Sequence, residues 1–592
     1  MLRTVFSRSL LCILILALLP VHSWAANTPN IILITLEATR ADHIGFLGSK
    51  HASPNLDALS RHSIIFERAY SQAPLAVVSH ATILSGTYPQ THHASELGAP
   101  LVATIPYLPD VLHARGYRTA AYVGSILLDP RNGFAPGFER GFDVYDAGFH
   151  TTHRGEDLSE ERDQPVEHHA DQVVARATKW LNQSAKRPFF LWINLDDART
   201  SQDALYDRGI ANNDAALGKL ISALHIHRLD TDAIIIVTAD HGESLGAHGE
   251  DTHGVFLYDE TIHVPLLVKL PQNAMAGTRV KSRVSLVDVA PTVLELAGIP
   301  VPSQMEGQSL LRTAKSRIAQ AIIDADRPSY ARNDFPQQAF GWSALASWRA
   351  GKYLYIRAPQ PELYDLSTDP AATHNLAKSA KATLDTMASQ LKAFDSHFGS
   401  GAGKGGGITS SEMQKLASLG YVGLQKPTSS VDAAVTGTDP KDAIATANQT
   451  LAAQLALDAG KPEKAVAAFR QVLAKQPNSY LVQYGLGITL VRKQQYSEAI
   501  VYLHKAIELQ PDSAWAHYAM GLSLFKTGDF KTSAIHLEIA AVRLPQFSEL
   551  HVTLAHVYEH LGRKQDAIRE RAKTLELERD WVPGAPASRA CR

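Results

Sequence analysis

Four carboxylates in this 592-residue chain stand directly after apolar runs. Glu37 follows "NIILITL" (Asn30–Leu36), Asp196 and Asp197 follow "PFFLWINL" (Pro188–Leu195), and Asp240 closes "AIIIVTAD" (Ala233–Asp240). His241 comes next, and then Gly242, which lets the backbone turn. Carboxylate oxygens beside an imidazole nitrogen are donors that a divalent cation accepts. The same acids are also good helix N-caps, because a carboxylate accepts backbone N–H groups at a helix start. Their place in the fold has to choose between these readings.

The elements that must position them are legible. The apolar runs are short, continuous and rich in β-branched and aromatic residues. With "TAAYVGS" (Thr119–Ser125) they alternate with helical patterns such as "NLDALSRHS" and "TIPYLPDVLHARG", from Asn27 to about Phe398. Strands apolar on both faces, separated by helices, predict an α/β sandwich around a largely parallel sheet. Such sheets bind ligands at the carboxyl ends of their strands, where these acids stand.

Hydrophobic residues make up 45% of the chain and charged residues 20%, enough for a large core. The formal charge of −2 gives no electrostatic ground for nucleic acid. Arg3 and Arg8, the apolar run Ser9–Pro20, and small residues Ser23 and Ala25 read as a signal peptide over residues 1–25, cleaved after Ala25. Export to a periplasm or to the cell exterior is therefore expected, with no transmembrane span in the mature chain. Of the two cysteines, Cys12 leaves with the signal and Cys591 lies beside the C-terminus, so no internal disulfide is expected.

"GSGAGKGGG" (Gly399–Gly407) is a flexible break. Residues 399–440 read as a Gly-rich linker holding a short docking helix, "SSEMQKLASLGYVG". Beyond it Pro477, Pro511 and Pro545 are spaced by 34, as are Gly487 and Gly521. Ala465, Ala499, Ser533 and Ala567 form another small-residue column at that spacing. Small residues let two helices approach closely, and each Pro closes a unit. The pattern resembles the tetratricopeptide (TPR) repeat. About four repeats are expected over 441–581, starting near Thr446, Tyr480, Ala514 and Ser548, with a tail at 582–592. The array is expected to bind a protein partner. Deletion after Pro440 is expected to leave a folded first domain.

Three segments carry a second resemblance. "NIILITLEATRADHIGFLG" (Asn30–Gly48) is similar to the opening strand and first metal loop of sulfatases. "APLAVVSHATILSGTYP" (Ala73–Pro89) is similar to their nucleophile segment, and "VTADHGESLGAHGEDTHGVFLYDETIHVPLLVKLP" (Val237–Pro271) to their second metal loop. The resemblance covers residues 27–398. It implies the α/β sandwich of the alkaline phosphatase superfamily, here followed by an all-α TPR superhelix, and metal-dependent hydrolysis of sulfate or phosphate esters.

The residues that the resemblance maps onto this chain are mixed. Glu37, Asp240 and His241 occupy metal-ligand positions, for Ca2+, Mg2+, Mn2+ or Zn2+. His253 matches a position near the scissile bond, as leaving-group acid or further ligand, and His80 one that touches an anion. Ala76 occupies the nucleophile position, so no formylglycine can form there and no side-chain hydroxyl stands there. Ala38, Val78, Leu97, Asn194 and Arg199 also depart from the family pattern. The resemblance thus implies an anionic ester ligand but impaired or absent turnover. The alternative is an active hydrolase that uses metal-bound water.

Overall fold

The computed structural model describes residues 28–51, 53–131, 134–148, 169–184, 188–198, 202–311, 327–398, 409–419, 421, 435 and 437–579. The predicted signal segment, Arg199, most of the Gly-rich linker and the 582–592 tail lie outside the described residues.

The apolar runs become strands β1 (Ile31–Leu36), β3 (Arg118–Tyr122), β5 (Phe189–Leu195) and β6 (Ile234–Ala239). Every residue of β1, β5 and β6 is buried, as a strand covered on both faces requires. They belong to a nine-stranded sheet with the order β4-β3-β5-β1-β6-β7-β2-β8, in which β9 (Val284–Ser285) also pairs with β2. β4 is Val144–Asp146, β7 is His263–Lys269, β2 is Ile64–Tyr70 and β8 is Arg279–Val280. From β4 to β6 all pairings are parallel; β7 then runs antiparallel to both β6 and β2. β8 and β9 pair parallel with β2, so among the described residues six of the eight pairings in this sheet are parallel, as expected of a largely parallel sheet. A second, antiparallel sheet follows: β10 (Ser329–Asn333), β11 (Leu345–Ala350), β12 (Tyr353–Arg357) and β13 (Glu362–Asp365).

Beyond Pro440 the described helices form four antiparallel pairs. They are Pro440–Asp458 with Pro462–Lys475, Tyr480–Arg492 with Tyr496–Leu509, Ala514–Thr527 with Phe530–Arg543, and Ser548–His560 with Lys564–Arg579. The small-residue column has a steric cause. A Cβ on Gly487 would lie 2.7 Å from Leu503 Cδ2, and one on Gly521 2.6 Å from Leu537 Cγ. The proline column has a polar partner six residues on. Gln483 Nε2 donates to the Pro477 carbonyl at 2.7 Å; His517 Nε2 and His551 Nε2 meet those of Pro511 and Pro545 at 3.0 and 3.1 Å.

The array does not hang free of the first region. One hydrophobic cluster includes Phe340, Trp342 and Tyr364 together with Phe469, Tyr480 and Trp515. Phe134 stacks on Trp515 at 5.1 Å. Ser479 Oγ donates to the Ala339 carbonyl, and Lys441 Nζ meets Glu362 Oε1 at 2.7 Å. Asn448 grips the loop after β6 with both ends of its amide. Its Nδ2 donates to the Gly249 carbonyl at 2.8 Å, and its Oδ1 accepts Asp251 N–H at 3.2 Å.

Candidate functional site

Parallel pairing in register brings three of the acids together. Leu36 pairs with Leu195 on one side and with Ala239 on the other. The next residues, Glu37, Asp196 and Asp240, therefore emerge at one level from the carboxyl ends of three adjacent strands. Each is no more than 1% exposed. Asp197 points to a different role. Its Oδ1 accepts Ala170 N–H at 3.0 Å, at the start of the helix Ala170–Ser184, so for this acid the capping reading describes the structure.

Asp240 Oδ1 accepts the N–H groups of Ala38 (3.1 Å) and His241 (2.8 Å). Among the described residues Asp240 Oδ2 has no hydrogen-bond partner; His241 Nε2 is 3.4 Å away and His80 Nδ1 3.6 Å away. His241 Nδ1 faces the Gly242 carbonyl at 2.8 Å, so it carries the proton and Nε2 presents its lone pair. Two buried ligand atoms 3.4 Å apart are close enough to share one cation. Glu37 is steadied by Ser125 Oγ (3.3 Å) and Asn194 Nδ2 (3.4 Å). Asp240 is pushed well above the usual carboxylate range, by burial first and then by the charges of Glu37 and Glu96. This concentration of buried negative charge fits the donor set of a hard or borderline divalent cation.

The first loop is held from behind. Ala38 takes a left-handed φ of 52°, which costs a non-glycine residue on the order of 1 kcal/mol or more. Tyr206 holds it there, its hydroxyl donating to the Ala38 carbonyl (2.7 Å) and accepting Arg40 N–H (2.8 Å). Arg40 and Asp42 pair at 2.7 Å. Next along, His43 Nδ1 and His51 Nδ1 lie 2.9 and 3.1 Å from the two oxygens of Asp207. Ligand atoms of this trio all lie within 4.8 Å of one another, so His43, His51 and Asp207 can coordinate a divalent cation. The sequence reading did not single it out, because Asp207 comes from a distant helix, Asp203–Ile226.

His253 Nδ1 is 3.1 Å from both oxygens of the buried Glu243, and its ring stacks at a tilt 4.3 Å from that of His241. His80 is bound within the fold at both nitrogens. Nδ1 donates to the Ala76 carbonyl at 2.8 Å, and Nε2 meets Thr35 Oγ1 at 2.9 Å. Burial lowers its pKa to about 4, so it stands neutral.

Ala76 is the first residue of the helix Ala76–Ser85. The hydroxyls nearest in sequence are engaged elsewhere. Ser79 Oγ lies 2.8 Å from the Ala73 carbonyl and 2.9 Å from Ser71 Oγ. Thr82 Oγ1 lies 3.2 Å from the Val78 carbonyl and 3.0 Å from His92 Nε2. At the helix start Val77 N–H donates to Glu96 Oε1 at 2.7 Å. Glu96 is the neighbour of Leu97, an apolar departure from the family pattern.

Comparison with known proteins decides the family. The sulfatase family model matches residues 29–299, and that of the N-sulphoglucosamine sulphohydrolase C-terminal region matches 251–396. A tetratricopeptide repeat model matches 450–514. The chain carries a sulfatase-family domain fused to tetratricopeptide repeats. Its sulfatase-family domain is similar to mouse (Mus musculus) arylsulfatase K, 37% identical over 217 residues, which are 34% of this chain and 38% of that protein. This chain thus spans little more than a third of arylsulfatase K. It is 26% identical over 416 residues to the ulvan-active sulfatase of Formosa agariphila, covering 62% of this chain and 80% of that one. Among solved structures, the phosphonate monoester hydrolase of Agrobacterium radiobacter superposes with a TM-score of 0.51 at 21% identity, over 62% of this chain and 96% of that one. That likeness establishes the shared fold.

Proposed function

We propose that this chain is an exported, cation-holding member of the sulfatase family whose ester turnover is impaired or absent, and that its repeats engage a protein partner. One observation carries the reading. The helix that would present a nucleophile begins with the methyl group of Ala76, while the Ser79 hydroxyl is bound to the Ala73 carbonyl. Near-attack geometry does not tolerate a nucleophile displaced by most of a helical turn. The cation would be held by Glu37, Asp240 and His241, with the Asp240 Oδ2 to His241 Nε2 approach as support. A bound cation would polarise an anionic group placed against it. Asn194 and Ser125 orient Glu37, and the Gly242 carbonyl fixes the His241 tautomer.

A second reading has its own observation. His253 on Glu243 is a carboxylate-backed imidazole beside His241, an arrangement that can accept a proton from an attacking water. Elemental analysis of the purified full chain, with a panel of aryl sulfate, phosphate and phosphonate esters, separates the two. A cation count lower by one equivalent in Asp240→Asn, with hydrolysis at the buffer rate throughout, is the expected result. Turnover in the native chain that Asp240→Asn abolishes would make it a water-using hydrolase instead.

A further inference from the structure

A helix N-terminus attracts anions because its first N–H groups have no intrahelical acceptor. The residue before the helix Ala76–Ser85 is Leu75, which cannot cap it through its side chain. The contact comes instead from far along the chain, where Glu96 Oε1 sits 2.7 Å from Val77 N. That is a charge-assisted bond of the kind an ester oxygen would make in the same place.

The adjoining cavity, of about 70 Å3, repeats the pattern. Leu75, Val78, Ala94 and Phe335 form its apolar lining, with Glu96 and Arg332 beside them. Arg332 would be the natural second holder of an anion, but its Nε lies 2.8 and 2.9 Å from the two oxygens of Asp334. Asp334 raises the guanidinium further above its ordinary pKa. The guanidinium that lines this cavity and the helix start reached by its Glu96 each meet a carboxylate of the same chain.

We propose that Glu96 is an internal stand-in for the ester anion. It occupies the anion position at the start of the helix Ala76–Ser85 and, with Asp334 on Arg332, keeps sulfate and phosphate groups out of the pocket. The proposal rests on the turnover-impaired reading and deepens it. An incoming dianion must displace a bonded carboxylate or lie against its charge, whichever residue stands at position 76.

Calorimetric titration of inorganic sulfate and inorganic phosphate into the full-length, cation-loaded protein tests this, with native chain, Glu96→Ala and Glu96→Gln side by side. Glu96→Ala is expected to bind either anion at least about tenfold more tightly than the native chain, since a like charge at hydrogen-bonding range is removed. Glu96→Gln is expected to gain less than Glu96→Ala but more than nothing, because its amide oxygen still reaches Val77 N–H without the charge. A cooperative thermal melt, raised by the anion in Glu96→Ala and not in the native chain, is the parallel readout. Equal affinities in the native chain and both variants would overturn the proposal. If Glu96→Ala does not fold, Glu96→Gln decides alone, and no gain over the native chain then counts against it. Ester hydrolysis by the native chain would remove the turnover-impaired reading by a separate assay and leave this titration to be judged on its own.

Discussion

Ala76 and Glu96 meet at one helix start, and their effects compound. A methyl group at the helix start removes the attacking atom, and a carboxylate on Val77 N–H fills the position where the target would rest. Ala76→Ser should therefore stay at background against aryl sulfates in a continuous assay. Turnover in that single variant would show that the missing hydroxyl was the only lesion. His43, His51 and Asp207 lead to a different residue-level expectation. Zinc titrated into the chain, followed by desalting and elemental analysis, should fall by one equivalent in Asp207→Asn, because the trio loses the carboxylate that its two imidazoles share. An unchanged zinc count would reduce the trio to a pair of surface His–Asp contacts.

At the scale of elements, the repeats give a prediction from their own internal comparison. His517 is wholly buried, with His536, Arg543 and Glu412 as its charged and titratable neighbours, and burial lowers its pKa from 6.5 to about 4. The folded chain resists protonating it and the unfolded chain does not. Its contribution is therefore fully present above pH 6.5 and is lost as the pH falls toward 4, by roughly 3 kcal/mol in all. The preceding repeat supplies the remedy. Gln483 makes the same bond to Pro477 that His517 makes to Pro511. His517→Gln should keep that clamp and flatten the fall of stability between pH 6.5 and 4, read by urea melts at several pH values. An unchanged slope would place the acid sensitivity elsewhere. The buried His536, also lowered, is the neighbour to examine next.

The whole molecule differs from the sequence expectation in one respect that matters for experiments. The 34-residue period reads as an independent module, yet Phe340, Trp342 and Tyr364 share a hydrophobic cluster with the repeats. Burying one large apolar side chain contributes about 1.5–3 kcal/mol, so stripping several of their cover is costly. A chain ended at Phe398 should melt several degrees lower than the full chain and bind a hydrophobic dye. A full-strength cooperative melt would restore the separable-module expectation. The Asn448 clamp adds a local consequence. The loop that follows His241 is tied at Gly249 and Asp251 to the first repeat helix, so truncation should also raise hydrogen exchange over residues 246–256.

Much of this was written into the linear pattern. Buried strands announce themselves as β-branched runs, and an acid after such a run stands at a strand end wherever the strand pairs. The Gly and Pro columns encode helix approach and unit closure, which are local steric facts. Three things required tertiary structure. The register that sets Glu37, Asp196 and Asp240 at one level, and leaves Asp197 to cap a helix, depends on the order of the strands in the sheet. The pairing of Glu96 with Val77 and of Asp207 with two histidines joins segments whose sequences carry no sign of each other. The docking of the repeats onto the sulfatase-family domain is likewise absent from any local pattern, because an apolar residue looks the same in sequence whether its neighbour is its own repeat or another domain.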